Sequence, residues 1–446
     1  MSQLFGTDGI RGSADKYPLD SETVWIIGKT LANHIGREKG KQARFISGRD
    51  TRESGPRIEN AFGSGVMAAG GWCESAGILT TPGIAFLTGS LDFDAGVVIS
   101  ASHNSFEDNG IKLFSPSGRK LGREVEIVIE SAVDAHEKDG FEPGVVDSAR
   151  SEELQQFYLN HFLEDFGGLN LSGMRIIADC ANGAASHLAP SLFELLGAEV
   201  KSIFSEPDGQ NINRDCGSLH LEKLQRAMSD SGADFGVAFD GDADRSLFVD
   251  EKGVIVDGDA VLWIMANFLR DKKKLKDNVV VSTVMSNIGL EIALRERSIK
   301  LVRTAVGDKY VLAELLKSGA TIGGEQSGHI IFPERSLVGD GMQTALFLLQ
   351  AIIETGRPFS ELRSGFSRLP QTLVNVRVSS KPPLEEIAAV RRGKDLIESQ
   401  LGSNGRLLLR YSGTENLARV MIEGSDQADI EEKAAWLAGV IADVLA

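Results

Sequence analysis

Along the first third of the chain the apolar positions change period repeatedly, from short runs suited to buried strands to the three-to-four spacing of an amphipathic helix. Residues 43–48 and 95–100 read as strands and residues 21–34 as a helix, an alternation that predicts an α/β layer. After an acidic stretch and a helical 151–166, the run 174–179 opens a second such layer, closed by strands at 234–239 and 246–249. A third begins near Gly253, with strands at 279–284 and 300–305 followed by helices at 287–296 and 309–317. Beyond Leu369 the pattern becomes a strand (372–378), a helix (384–400), two strands (405–411 and 418–423) and a last helix (426–445). The expected organisation is three α/β units, 1–150, 151–250 and 251–368, and a small α+β unit, 369–446. Three units of similar size are compatible with duplication, although no short repeat is evident.

Composition narrows the function. At 446 residues the chain exceeds one typical core, and 42% hydrophobic with 25% charged residues is ordinary globular usage. A net charge of −16 argues against nucleic acid as a partner, because such binding rests on clustered Lys and Arg. The one dense basic run, Lys272 to Lys274 with Lys276, reads as a solvated helix end. Cys73, Cys180 and Cys216 share no metal-type spacing and cannot all pair, which suits a reducing compartment. Asp8 and Arg11 interrupt the place where a signal peptide needs an apolar core, and no apolar run approaches the roughly 20 residues of a membrane span. The expectation is a cytoplasmic protein without membrane contact.

The glycines gather at strand ends, where a residue without Cβ lets backbone amides approach an anion, and four loops there carry candidate chemistry. Ser100-Ala101-Ser102-His103-Asn104 follows an apolar strand and is either a nucleophile with polar neighbours or a hydrogen-bonded turn. Asp240, Asp242 and Asp244 alternate along a second loop ending in Arg245; carboxylates so close repel unless a hard cation such as Mg²⁺ sits among them. They also fall, with Glu251, on EF-hand ligand positions, but Arg245 stands where that loop needs glycine, and the flanks read as strands. In the third loop Glu325 and Ser327, two apart and followed by His329, can hydrogen-bond adjacent sugar hydroxyls or form a plain turn. The fourth, Arg410 to Asn416 with Arg419 after it, offers guanidinium groups, hydroxyls and a glycine backbone to a phosphate, or is a hairpin turn.

Taken together, in this order and near these spacings, the four loops resemble the α-D-phosphohexomutase family over essentially the whole chain. The resemblance implies three related α/β domains with mixed sheets and a small C-terminal α+β domain, arranged around a central cleft. It implies that Ser102 carries a phosphoryl group and that Asp240, Asp242 and Asp244 bind one Mg²⁺ per chain together with that phosphoserine. Glu325, Ser327 and His329 would bind the sugar, and Arg410, Ser412, Gly413, Thr414 and Arg419 the phosphate that does not react. Arg11, His103, Lys112 and Arg245 would line the reaction centre, with Lys112 as the candidate for proton transfer.

The partner so implied is a small sugar phosphate, with phosphorylation of Ser102 or a hexose 1,6-bisphosphate as activator, and a homodimer is compatible with it. Within the family, the segment Phe5 to Gly12, the segment Thr283 to Asn287 and Gln326 resemble members acting on glucosamine phosphates; those acting on mannose or glucose phosphates often carry Met in place of Gln326. A mannose- or glucose-phosphate mutase, or a silent sugar-phosphate-binding protein, are the alternatives. Ser105 and Asn416 stand where the family usually has proline, which loosens both loops without removing a reacting group.

Overall fold

Asp20 stands just before the first long helix, Ser21–Lys39, and its carboxylate accepts the Thr23 amide at 3.0 Å; Gly40 ends the helix in the left-handed region at φ 62°. The helix outlasts the apolar pattern because Arg37, Glu38 and Lys39 continue its last turn at the surface. Helix Gly55–Ala68 packs across it backbone to backbone: a Cβ on Gly65 would lie 2.0 Å from the Trp25 carbonyl oxygen, and one on Gly28 2.2 Å from that of Phe62. Both helices bury Trp25, Ile27, Leu31, Ile58 and Phe62 against Phe45, Val97 and Ile111 of the first sheet. This computed structural model describes residues 4–6, 8–135, 141–412 and 415–445.

Three sheets share one topology. The first runs Ile10–Ser13, Asp108–Phe114, Ala95–Ile99, Arg44–Arg49, Trp72–Ile78, with its first two pairings antiparallel and its last two parallel. The second, Ile255–Val256, Ser246–Asp250, Phe235–Phe239, Arg175–Asp179, Glu199–Ile203, repeats that pattern of directions. The third, Lys300–Thr304, Val279–Thr283, Gly323–Gly324, Ile330–Ile331, keeps the same core order without the fifth strand. In each, the third strand of the repeat turns directly into the antiparallel fourth, and that connection carries one of the first three loops. The mixed sheets expected for the three α/β domains are therefore present.

The chain divides into two compact units, Met1–Val284 with Val302–Arg363, and Met285–Leu301 with Ser364–Ala446. The second unit has an antiparallel sheet, Gln371–Arg377, Leu417–Glu423, Arg406–Tyr411, covered by helices Ala388–Leu401 and Gln427–Leu445. The segment Met285–Leu301 joins it through the buried Glu423, whose carboxylate accepts the Ile288 amide and the Asn287 side chain, each at 3.1 Å, and pairs with Arg406 at 2.7 Å. The helix expected over 384–400 is divided: Leu384–Glu386 forms a short 3₁₀ turn, Ile387 is extended, and the α-helix starts at Ala388. Among the described residues no helix is long and apolar enough to cross a membrane.

Alanine has the higher helix propensity, yet Gly65→Ala is expected to destabilise the first unit by about 1–3 kcal/mol through overpacking against the Trp25 backbone. Urea unfolding followed by tryptophan fluorescence measures this; an unchanged or raised midpoint would show that the two helices separate at little cost.

Candidate active site

Ser102 follows the fully buried strand Ala95–Ile99 and adopts φ 54°, a left-handed conformation uncommon for serine. That turn aims its hydroxyl at Asp240, with Oγ donating to Oδ2 at 2.5 Å, while His103 Nδ1 lies 3.3 Å from the same oxygen. Asp240 leaves the buried strand Phe235–Phe239, and Ala243, at φ 54°, folds the next residues back so that ligand oxygens of Asp240, Asp242 and Asp244 all lie within 4.8 Å of one another. The flanks are strands, so the EF-hand alternative fails on structure as well.

Neighbouring groups compensate the carboxylates. Lys112, placed on strand Asp108–Phe114, sends its ammonium to Asp242 at 2.6 Å and Asp244 at 2.9 Å, and Thr81 donates its hydroxyl to Asp242 from the start of helix Thr81–Ser90. Burial, followed by Asp244 and Asp242, pushes Asp240 up to about 8. Burial acts the same way on Asp244, but Lys112, His329 and Arg245 outweigh it and hold that carboxyl well below its usual range. Burial would lower Lys112, yet Asp242, Asp244 and Asp8 overcome it and keep the ammonium protonated above its ordinary range. His103 is pushed down to about 4 by burial and by Arg245 and Arg11, so it is neutral near pH 7.

The donor set fits a hard divalent cation. Among the described residues Asp242 Oδ1 and Asp244 Oδ1 are buried without a hydrogen-bond partner, a costly state for carboxylate oxygens that a cation relieves. Oxygen-only ligands of this charge suit Mg²⁺ better than a softer metal.

Beside the aspartates lies a polar cavity of about 130 Å³ lined by Asp8, Arg11, Asp244, Arg245, Gly307, Asp308, Glu325 and His329. Arg11 reaches it from the edge strand Ile10–Ser13 and lies 3.6 Å from Asp8. Arg245 Nη1 is 3.3 Å from His103 Nδ1. Glu325 is held by the Gly307 amide at 3.1 Å, and the Gly339 amide donates to His329 Nε2 at 3.0 Å, leaving Nδ1 facing Asp244 at 3.8 Å. Ser327 sits in the same connection, before Gly328 at φ 91°. The structure thus brings together Arg11, Ser102, His103, Lys112, the three aspartates, Arg245, Glu325 and His329.

Arg410, Ser412 and Arg419 lie in the second unit. Arg410 and Arg419 are direct cross-strand partners, and burial together with Arg419 lowers the pKa of Arg410. Arg419 Nη2 is 3.5 Å from the buried Ser412 Oγ, and Lys381 reaches the Ser412 carbonyl at 2.9 Å. Two guanidinium groups directly opposite destabilise a ladder unless an anion lies between them. Gly413 and Thr414 lie outside the described residues, as does Thr7 in the first segment.

Sequence reading missed Thr81, Asp8, Lys120 and Asp308. Lys120 bridges Asp8 at 3.1 Å and Asp308 at 2.7 Å across the cavity wall. Gly307, at φ 127° between a strand and a helix, was the available signal for Asp308; nothing local marked Lys120. The basic run at Lys272 is a surface feature, with Lys272 paired to Glu354 at 2.5 Å.

Four domain descriptions match in succession: phosphoglucomutase/phosphomannomutase alpha/beta/alpha domain I over residues 2–140, domain II over 156–253, domain III over 257–369 and the C-terminal domain over 373–439. The chain therefore belongs to the phosphoglucomutase/phosphomannomutase family. Within it, the chain is 45% identical over 446 residues to the phosphoglucosamine mutase of Syntrophotalea carbinolica, covering 98% of this chain and 97% of that one. It is 47% identical over 438 residues to the phosphoglucosamine mutase of Solibacter usitatus, covering 98% of each. The crystal structure of Aspergillus fumigatus N-acetylphosphoglucosamine mutase in complex with GlcNAc-6P and magnesium shares the fold, with a TM-score of 0.69, 19% identity, and 99% of this chain and 96% of that one covered.

The folded chain binds a proton at Asp240 up to about pH 8, whereas the ordinary value is 3.8, so metal-free protein loses stability as pH rises through that window. A cation that takes the place of the proton restores it. Mg²⁺ is expected to raise the thermal midpoint more at about pH 8 than at about pH 5, and equal shifts would count against these aspartates as its ligands.

Proposed function

We propose that this chain interconverts glucosamine 6-phosphate and glucosamine 1-phosphate through phosphorylated Ser102 and a bisphosphate intermediate. The observation that carries the reading is Ser102 Oγ lying 2.5 Å from Asp240 Oδ2, in the aspartate cluster whose Asp244 lines the polar cavity. Supporting the amino-sugar substrate are the full-length relatives named phosphoglucosamine mutase.

In the forward step the bond from phosphorus to Ser102 Oγ breaks and a bond to the free sugar hydroxyl oxygen forms. The hydroxyl gives up its proton, and the serine oxygen receives one; the reverse transfer returns the other phosphate of the bisphosphate to Ser102. Asp240, Asp242 and Asp244, with a phosphate oxygen on Ser102, would hold Mg²⁺, which supplies positive charge against the transferring group. That the A. fumigatus N-acetylphosphoglucosamine mutase structure is a complex with magnesium supports the choice of metal. Arg11, Arg245 and neutral His103 line the reaction centre and steady the phosphoryl oxygens. Lys112, whose ammonium reaches Asp242 and Asp244, is the candidate for proton transfer. Glu325, Ser327 and His329 orient the sugar, and Arg410, Ser412 and Arg419, with Gly413 and Thr414 between them in sequence, bind the phosphate that does not react. The activator is a hexose 1,6-bisphosphate or prior phosphorylation of Ser102.

Ser102→Ala is expected to abolish turnover with sugar-phosphate binding retained, and the wild-type protein alone to show phosphate on this residue by mass spectrometry; normal turnover by the variant would sink the covalent route. Arg419→Ala should raise KM about 10- to 100-fold, the loss of a charge-assisted hydrogen bond. Comparing kcat/KM for glucosamine, glucose and mannose phosphates checks the substrate, and a preference for either neutral sugar would overturn the amino-sugar assignment.

A further inference from the structure

Arg52 takes no part in the chemistry above, yet its side chain is fully enclosed, as is that of Asp50. It follows the strand Arg44–Arg49 of the first sheet. One arm of its guanidinium pairs with Asp50, and the other, Nη2, donates to two main-chain oxygens of the serine loop, Ser102 at 3.2 Å and Asn104 at 2.6 Å. The same two oxygens receive a second donor from another part of the chain. Asn213, in the connection beyond strand Glu199–Ile203 of the second sheet, reaches both with Nδ2 at 2.9 Å.

Asn213 is itself pinned at φ 58°, its amide donating to the Ala181 carbonyl at 2.9 Å. Gly241, beside the metal loop's first aspartate, closes the space beneath: a Cβ there would lie 2.5 Å from the Ser102 carbonyl oxygen and 3.0 Å from Asn213 Nδ2. The remaining main-chain group of Ser102, its N–H, donates to Ser100 Oγ at 2.9 Å. Both polar main-chain groups of the serine are thus engaged while it holds a left-handed φ, a conformation that persists only where the surroundings over-determine it.

We propose that Arg52 and Asn213 are positioning residues for the phosphoryl transfer, a clamp with one jaw from each of the first two sheets. Together they set the angle at which Ser102 Oγ faces Asp240. Filling a buried space needs no charge, and an apolar side chain does it without the desolvation cost of a guanidinium. What Arg52 and Asn213 supply is directional: each carbonyl accepts twice, so the loop cannot rotate without breaking bonds to both jaws at once. Phosphoryl transfer depends on in-line placement, where a displacement of about 1 Å costs on the order of 100-fold in rate. This proposal rests on Ser102 being the phosphoryl carrier.

Asn213 is only half-buried, and in Asn213→Ala each carbonyl keeps its bond from Arg52, so this variant is expected to fold. Its kcat is expected to fall about 10- to 100-fold with KM within about two-fold, the signature of lost alignment without lost binding. Transfer of phosphate from glucose 1,6-bisphosphate to Ser102, followed by intact-protein mass spectrometry, should slow by the same factor. Asn213→Asp, nearly the same shape but turning an acceptor toward the carbonyls, should fall at least as far. Wild-type kcat in Asn213→Ala, or a loss matched only by a smaller folded fraction, would overturn the clamp. Ser102→Ala run alongside separates the causes: if it turns over, the carrier reading and the clamp fail together, and if it is inert while Asn213→Ala runs at full rate, the clamp alone fails.

Discussion

Asp240, Asp242 and Asp244 share one water-poor space, and their mutual repulsion is the condition around which the neighbouring elements are arranged. Removing carboxylates from water costs several kcal/mol each unless charge and hydrogen bonds compensate. The compensation arrives from all three sheets: Lys112 and Ser102 from the first, the amide of Arg245 from the second, and His329 from the third. It stays incomplete, since among the described residues one oxygen on each of Asp242 and Asp244 has no hydrogen-bond partner. An anionic cluster with unfilled coordination is what a divalent cation and a transferring phosphate require together.

The repeated topology explains how one plan serves different chemistry. In each of the three sheets the third strand is parallel to one neighbour and antiparallel to the other, and a short connection joins its C-terminal end to the fourth strand. A connection anchored at both ends by buried strands can hold strained residues, and Ser102 and Ala243 both use left-handed φ there. The first connection carries a hydroxyl, the second a carboxylate cluster, the third a carboxylate with a histidine. The second unit works by a different device, two arginines paired across antiparallel strands, whose repulsion makes an anion welcome.

Much of this was legible along the chain because its signals are local. Alternating aspartates after an apolar run, Ser-His-Asn at a strand end and arginines bracketing a glycine turn each occupy a few consecutive residues. Strand and helix positions followed from periodicity, and the helix expected over 384–400 differs at its start, where Ile387 is extended between a 3₁₀ turn and the α-helix. Thr81, Lys120 and Arg52 were not legible, because an isolated threonine, lysine or arginine carries no mark of what it faces.

The sequence by itself determined which functional groups exist, the order of the four loops and the strands that present them, since backbone sterics and hydrophobic period act over short stretches. Only the tertiary structure decided which groups answer one another: Lys112 and Asp242 lie 130 positions apart, Arg52 and Ser102 lie 50 apart, and Asn213 and Ser102 lie 111 apart. Charge compensation in a low-dielectric interior depends on ångström distances, and those distances are set by sheet register and helix packing.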